Sequence, residues 1–143
     1  MPLVSLTVII SLSLVFPMLA YLYHRVLVTE IIRDLRILRI FYYISLTGLG
    51  LALYMRGVTG LDPYLQTKFI LTFFLFIISL VYAAVFAIVS NNIEDLETDK
   101  ISNRSRPLVT GKVQLRTYRN AGIISQIIAL IIAGMLSRSE EHT

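Results

Sequence analysis

The 143-residue sequence has no cysteine, no tryptophan and only two histidines. Without cysteine, the chain can form neither disulfides nor thiolate metal sites. Charge is scarce as well, since 15% of the residues are charged, against roughly a quarter in an average soluble domain. The basic residues are not interleaved with aromatic ones, as they are in proteins that bind single-stranded nucleic acid. We therefore expect no nucleic-acid partner.

Four long apolar segments explain the shortage of charge. Crossing a hydrocarbon core of about 30 Å takes about 20 helical residues, and the first and third segments are long enough without help. The second and fourth need flanking residues such as Ile37 and Leu38. All four are continuously apolar, without the alternation of barrel strands, so helices must satisfy the backbone in lipid. We predict an all-α, multi-pass transmembrane bundle of about four helices, at residues 3–23, 37–55, 69–90 and 121–136.

The basic residues are distributed unevenly among the three connectors. The first and third connectors hold ten lysines and arginines, whereas the second holds only Arg56 and Lys68. Cytoplasmic connectors are enriched in basic residues. We therefore predict a cell-membrane protein with the first and third connectors in the cytoplasm and the N-terminus outside.

The last six residues form a polar tail after the fourth apolar segment. Their sequence, Arg-Ser-Glu-Glu-His-Thr, resembles the translated start of a common sequencing-library adapter. We expect one domain over residues 1–137 and a non-native tail over residues 138–143. A natural polar terminus is the alternative.

The third connector, residues 91–120, carries the chemistry that can be read from the sequence. Asn91, Asp95 and Asp99 are spaced four residues apart. If the third helix continues beyond the membrane, they drift only about 80° around its axis while rising about 12 Å. Oxygen ligands on one edge suit magnesium, which takes one or two protein carboxylates and fills its shell with water and phosphate oxygens. The spacing therefore predicts a metal site made by these three residues.

Basic residues follow the acidic segment closely. Guanidinium and ammonium groups beside metal-binding carboxylates can grip the oxygens of a diphosphate. The segment also lies where an apolar helix leaves the bilayer, so a substrate could place its charged head in water and its hydrocarbon tail in lipid. We predict diphosphate binding by Asn91, Arg104, Arg106 and Lys112.

This segment resembles that of the UbiA-type intramembrane prenyltransferases. The family pattern is Asn-Asp-x-x-Asp-x-x-x-Asp, then a basic stretch and Arg-Pro-(Leu/Ile)-x-x-Gly, and the chain supplies Asn91, Asp95 and Asp99 in register, followed by residues 106–111. The resemblance implies a nine-helix fold and transfer of a prenyl group from an allylic prenyl diphosphate to an acceptor. It also implies Mg²⁺ as cofactor, with Asp95 and Asp99 as catalytic metal ligands.

Three features depart from the family pattern. Asn92 stands where most members have aspartate, and three apolar segments precede the motif where the family has two. The family also has a second aspartate-rich loop, but after Asp99 the only acidic residues are Glu140 and Glu141. We therefore expect the N-terminal part of a prenyltransferase, not competent for transfer alone. The acceptor and the prenyl length are not indicated.

Two other functions are compatible with a charged connector in a membrane protein. The first is a small non-catalytic membrane protein whose cytoplasmic connector binds a partner. The second is a membrane protein that handles cations. Neither requires a second aspartate-rich loop.

Overall fold

A computed structural model of the protein describes residues 3–35, 37–57 and 63–138. The described residues form six helices and no strand, which confirms the predicted all-helical membrane bundle. Four of the helices are long and two are short. They are α1 (Leu3–Tyr23), α2 (Arg25–Asp34), α3 (Ile37–Gly57), α4 (Pro63–Glu94), α5 (Leu96–Ser102) and α6 (Leu115–Arg138).

Three helices are long and apolar enough to cross a membrane. The segments that meet this criterion of length and composition are Leu3–Tyr23, Thr67–Glu94 and Leu115–Leu136, while the apolar part of α3 is shorter, at Ile40–Leu53. Of the predicted tail, residues 138–143, only residue 138 is among the described residues. The origin of the tail therefore stays a hypothesis.

The structure differs from the sequence-based prediction in the connectors. The first connector contains α2, a helix that we did not predict from the sequence; its Leu27 and Ile31 are buried on one face. The third connector is largely helical too, because α4 runs four residues beyond the predicted segment and α6 begins at Leu115. The residues that extend these helices are polar. A helical backbone satisfies its own hydrogen bonds, so a helix can continue beyond its apolar segment while its polar side chains contact water.

Helices α4 and α6 pack against each other in antiparallel orientation. Gly122 of α6 lies against Val89 of α4, so close that a Cβ on Gly122 would lie 2.6 Å from Val89 Cγ1. Further along, Ser79 Oγ donates a hydrogen bond to the carbonyl oxygen of Ala129 at 3.1 Å. Small residues and interhelical hydrogen bonds are the usual means by which membrane helices associate.

Helix α1 packs beside α4 in the same direction. Leu6 and Leu75 are buried in one apolar cluster, and a turn or two further on Tyr82 Oη donates to the carbonyl oxygen of Ser13 at 2.7 Å. Because α1 and α4 run parallel, α2 follows α1 at the end of the bundle where α4 ends.

Helix α4 is longer than a membrane crossing requires. Its 32 residues correspond to about 48 Å at 1.5 Å per residue, against a hydrocarbon core of about 30 Å. A second buried apolar cluster, made by Leu27, Ile31, Val89, Val113 and Tyr118, ties its last turns to α2 and α6. This cluster therefore holds together the polar ends of α2, α4 and α6, which we call the polar platform.

Candidate functional site

The three predicted metal ligands lie along one edge of the α4–α5 junction. Asp95 separates the two helices, with φ −80° and ψ 1°. The helical hydrogen bonds nevertheless continue, from Asp95 N to Asn91 O and from Asp99 N to Asp95 O, each at 2.8 Å. The spacing of four residues therefore corresponds to helical geometry in the structure.

These ligands differ in exposure. Asn91 and Asp95 are exposed, whereas the Asp99 side chain is only 13% exposed. Within residues 3–35, 37–57 and 63–138, no three histidine, aspartate or glutamate side chains gather into a metal-binding group. Two carboxylates and one amide oxygen nevertheless fit magnesium, since this ion usually takes one or two protein carboxylates and completes its shell with water and phosphate.

Arg106 lies between two carboxylates. Its Nη1 is 3.3 Å from Asp34 Oδ2 on α2, and its Nε is 3.7 Å from Asp99 Oδ2. The second distance is an ion-pair distance but too long for a hydrogen bond. Among the described residues, the buried Nε has no hydrogen-bond partner. Arg106 therefore has one donor group fixed by α2 and one that faces the acidic edge.

Asn92, next to the first predicted ligand, is buried at the centre of a polar network. Its Nδ2 donates to Asp34 Oδ2 and to Tyr118 Oη, both at 2.8 Å. Its Oδ1 accepts from Arg106 Nη1 at 3.2 Å. The amide thus joins α2, α4, α6 and the segment that follows α5. The aspartate that most members of the resembling family have at this position could not donate these two bonds.

Helix α2 supplies a second acidic residue to the same region. Glu30 lies one turn before Asp34 and is buried, and its Oε1 is 3.9 Å from Lys112 Nζ. Glu30 Oε2 forms an ion pair with the Arg33 guanidinium, although this contact lacks the geometry of a hydrogen bond. Two carboxylates one helical turn apart therefore face Arg106 and Lys112, two of the three basic residues of the predicted site.

A compact turn carries the basic residues back across α2. Thr110 N donates to Arg106 O at 2.9 Å, Pro107 is fully buried, and Gly111 has a φ of +69°. Residues other than glycine adopt this left-handed backbone conformation only at a cost in free energy. The Arg-Pro-Leu-x-x-Gly pattern thus forms a turn that fixes Arg106 and Lys112 over Asp34 and Glu30.

A basic cleft opens between α2 and the segment that follows α5. It has a volume of about 390 Å³ and is lined by Arg33, Asp34, Asn103, Ser105, Arg106 and Lys112. Of the predicted diphosphate-binding residues, Arg106 and Lys112 line it, whereas Asn91 and Arg104 do not. Arg104 is exposed, and its role stays a prediction.

The site predicted from the sequence did not include Glu30, Asp34 or Tyr118. Arg33 was counted only as one of the basic residues of the first connector. One signal was available: Leu27, Ile31 and the two acids recur at three- and four-residue intervals, which is typical of an amphipathic helix. Nothing comparable in the sequence indicates Tyr118.

Comparison with known protein families identifies a match. The model of the UbiA prenyltransferase family matches residues 44–139, which include the acidic edge and the turn of residues 106–111. No curated protein and no solved structure matched the chain. The matched residues are about two thirds of the sequence.

Proposed function

The chain belongs to the UbiA prenyltransferase family, and from this premise we propose that its polar platform binds an allylic prenyl diphosphate for transfer to an acceptor. Prenyl transfer is the general activity that membership indicates. In this proposal the reaction depends on magnesium and takes place at the cytoplasmic face of the membrane, with the N-terminus outside. The clustering of basic residues in the first and third connectors supports this orientation.

Asn91, Asp95 and Asp99 are the magnesium ligands in this proposal. The bound ion would supply positive charge for the diphosphate as it departs. Asp95 is exposed and carries no ion pair among the described contacts, so ligation of a metal by Asp95 would displace no protein partner. Asp99 has Arg106 beside it, so the cation site and the phosphate contact are adjacent.

Arg106 is the residue that we propose to grip the diphosphate. Its side chain is held by Asp34 and Asn92, while its buried Nε lacks a hydrogen-bond partner among the described residues and faces the acidic edge. A buried unpaired donor is costly, and a diphosphate oxygen beside Asp99 would satisfy it. This pre-positioned donor is the observation that carries the proposal. Lys112 and Arg104 would add positive charge nearby.

The reaction itself breaks one bond and forms one. The allylic C–O bond breaks with its electron pair going to the diphosphate, whose developing charge Arg106 helps to stabilise. The acceptor then bonds to the allylic carbon and releases a proton. Apolar surfaces of α1, α4 and α6 would surround the prenyl tail and keep water away from the reactive carbon.

A binding measurement on the purified chain in neutral detergent tests the proposal. Inorganic pyrophosphate is titrated with and without Mg²⁺ against the wild type, Asp95→Asn and Glu94→Gln. Glu94 is an exposed neighbouring acid that lies about 100° around the helix from Asp95. We expect magnesium to strengthen binding, and Asp95→Asn to remove most of that gain.

The control should behave like the wild type, because Glu94→Gln removes the same charge from outside the acidic edge. If magnesium has no effect on pyrophosphate binding, or if both variants lose affinity equally, the metal-ligand assignment is wrong.

A further inference from the structure

The basic cleft presents positive charge to solvent although acidic residues lie close to it. The side chains of Arg33 and Lys112 are each 53% exposed, whereas those of Glu30 and Asp34 are 9% and 10% exposed. Of the two carboxylates, Asp34 lines the cleft and Glu30 does not, and the cationic side chains are the more exposed ones. A solute that enters meets three cationic side chains and a single carboxylate, that of Asp34.

Neutral hydrogen-bonding groups complete the lining. Ser105 Oγ donates to Asn103 Oδ1 at 3.0 Å, which engages the amide oxygen and leaves the amide N–H donors for other partners. Cations together with neutral N–H donors suit an oxyanion, because each oxygen can accept several charge-assisted hydrogen bonds. The volume of about 390 Å³ is within the range of small-molecule sites, about 300–1,000 Å³.

Arg106 separates this cleft from the acidic edge. Its Nη1 is directed toward Asp34, which lines the cleft, and its Nε is directed toward Asp99, which does not. Neither Asn91 nor Asp95 lines the cleft. An anion bound by Arg33 and Lys112 would therefore lie on the other side of Arg106 from the metal ligands.

We propose that the basic cleft is a second, metal-independent oxyanion site, in which Arg33, Arg106 and Lys112 bind a phosphate or carboxylate group. Within the proposed function, two substrate groups have this chemistry. One is the anionic head of the acceptor, and the other is the terminal phosphate of the diphosphate reaching across Arg106. Anion binding itself does not depend on the proposed function, whereas this assignment of sources rests on it.

Arg33 gives the sharpest test because it lies outside the acidic motif and its turn. Inorganic phosphate is titrated by calorimetry into the purified chain in neutral detergent, with a chelator present. Arg33→Gln is compared with Arg25→Gln, which removes the same charge from the other end of α2 at an exposed position that does not line the cleft. We expect Arg33→Gln to weaken binding about tenfold, the low end for a charge-assisted contact at a half-exposed residue, and Arg25→Gln to have little effect.

Two further variants make the result specific. Arg33→Lys keeps the charge and should restore part of the affinity, which a general loss of folding would not allow. Asp95→Asn should leave metal-free phosphate binding unchanged, so failure of the magnesium proposal and failure of this one are distinguishable. Circular dichroism checks that each variant keeps its helices.

A competition experiment separates the two sources. Methyl phosphate and benzoate are titrated in the presence of saturating pyrophosphate and Mg²⁺. Binding that persists assigns the cleft to a separate anionic group, such as the acceptor head, whereas competition assigns it to the terminal phosphate. Absence of saturable phosphate binding, or equal affinity in the wild type and Arg33→Gln, would overturn the proposal.

Discussion

Asn92 of α4 donates a hydrogen bond of 2.8 Å to the carboxylate of Asp34 on α2, across 58 residues of sequence. The same amide also donates to Tyr118 and accepts from Arg106. In the sequence, Asn92 is a position at which the chain departs from the family pattern. In the structure, all three amide contacts are made to protein groups, so Asn92 stabilises the platform on which Arg106 lies.

The first prediction concerns Asn92. Asn92→Leu should lower the free energy of unfolding by about 2 kcal/mol, because buried polar groups of Asp34 and Tyr118 lose a partner. Asn91→Leu is the matched control: the same substitution one position earlier, at an exposed site, where effects stay within about 0.5 kcal/mol. Unfolding in mixed micelles with increasing SDS measures both. Equal effects would mean that the network does not stabilise the protein.

The second prediction concerns the pair of Asp34 and Arg106. Their side chains are 10% and 30% exposed, so solvent screens the interaction only partly. A double-mutant cycle with alanine at each position should give a coupling of about 1–2 kcal/mol, within the range for directly interacting residues. Mutation of Asp34 should also weaken pyrophosphate binding, since Arg106 would lose the partner that orients it.

An exposed ion pair provides the comparison for that cycle. Glu97 and Lys100 of α5 are paired as well, but their side chains are 81% and 51% exposed. Exposed pairs three residues apart on a helix contribute little, about 0.2–0.5 kcal/mol. A coupling for Asp34 and Arg106 no larger than that of Glu97 and Lys100 would contradict the positioning role of Asp34.

The sequence predicts the helices of this protein better than its site. Continuous apolar segments require helices in lipid whatever lies around them, and α1 ends where the hydropathy pattern ends. The edge of Asn91, Asp95 and Asp99 follows from helical spacing alone. Local rules of this kind need no knowledge of which helices are neighbours.

The polar network could not be predicted in the same way. Asp34, Asn92, Arg106 and Tyr118 meet only because α1 and α4 are parallel and α6 returns beside α4, so their contacts depend on helix packing. Glu30 and Lys112 illustrate the same limit, since 82 positions separate them and no local pattern relates them. The sequence therefore indicates which charges are present, and packing determines how they pair.

The third prediction concerns the contact between α4 and α6. Gly122→Ala should destabilise the protein by about 1–3 kcal/mol, as overpacking usually does, because the new Cβ would lie 2.6 Å from Val89 Cγ1 and 3.0 Å from Val89 Cβ. Gly134→Ala on the same helix is the control: nothing lies within 4 Å of its added Cβ, so it should stabilise the helix slightly.

A compensating substitution makes this prediction specific. Val89→Ala removes the two γ-carbons that the new Cβ would meet and should recover part of the stability of Gly122→Ala. SDS-induced unfolding reports all three variants. Additive losses in the double variant would show that the closeness of Gly122 and Val89 does not limit the packing of the helices.

The fourth prediction concerns Gly111, the last residue of the Arg-Pro-Leu-x-x-Gly turn. An added Cβ would meet no atom within 4 Å, so a substitution here tests backbone conformation alone. With φ at +69°, Gly111→Ala should cost about 1 kcal/mol, and Gly111→Asn should cost less because asparagine tolerates the left-handed region better. Gly50→Ala, at an equally open position inside α3, should be neutral or stabilising.

Because the turn also aims Lys112 at the cleft, we expect Gly111→Ala to weaken metal-free phosphate binding, while Gly50→Ala leaves it unchanged. Equal stability and equal phosphate affinity in the two variants would show that the left-handed turn is not needed to position the basic residues.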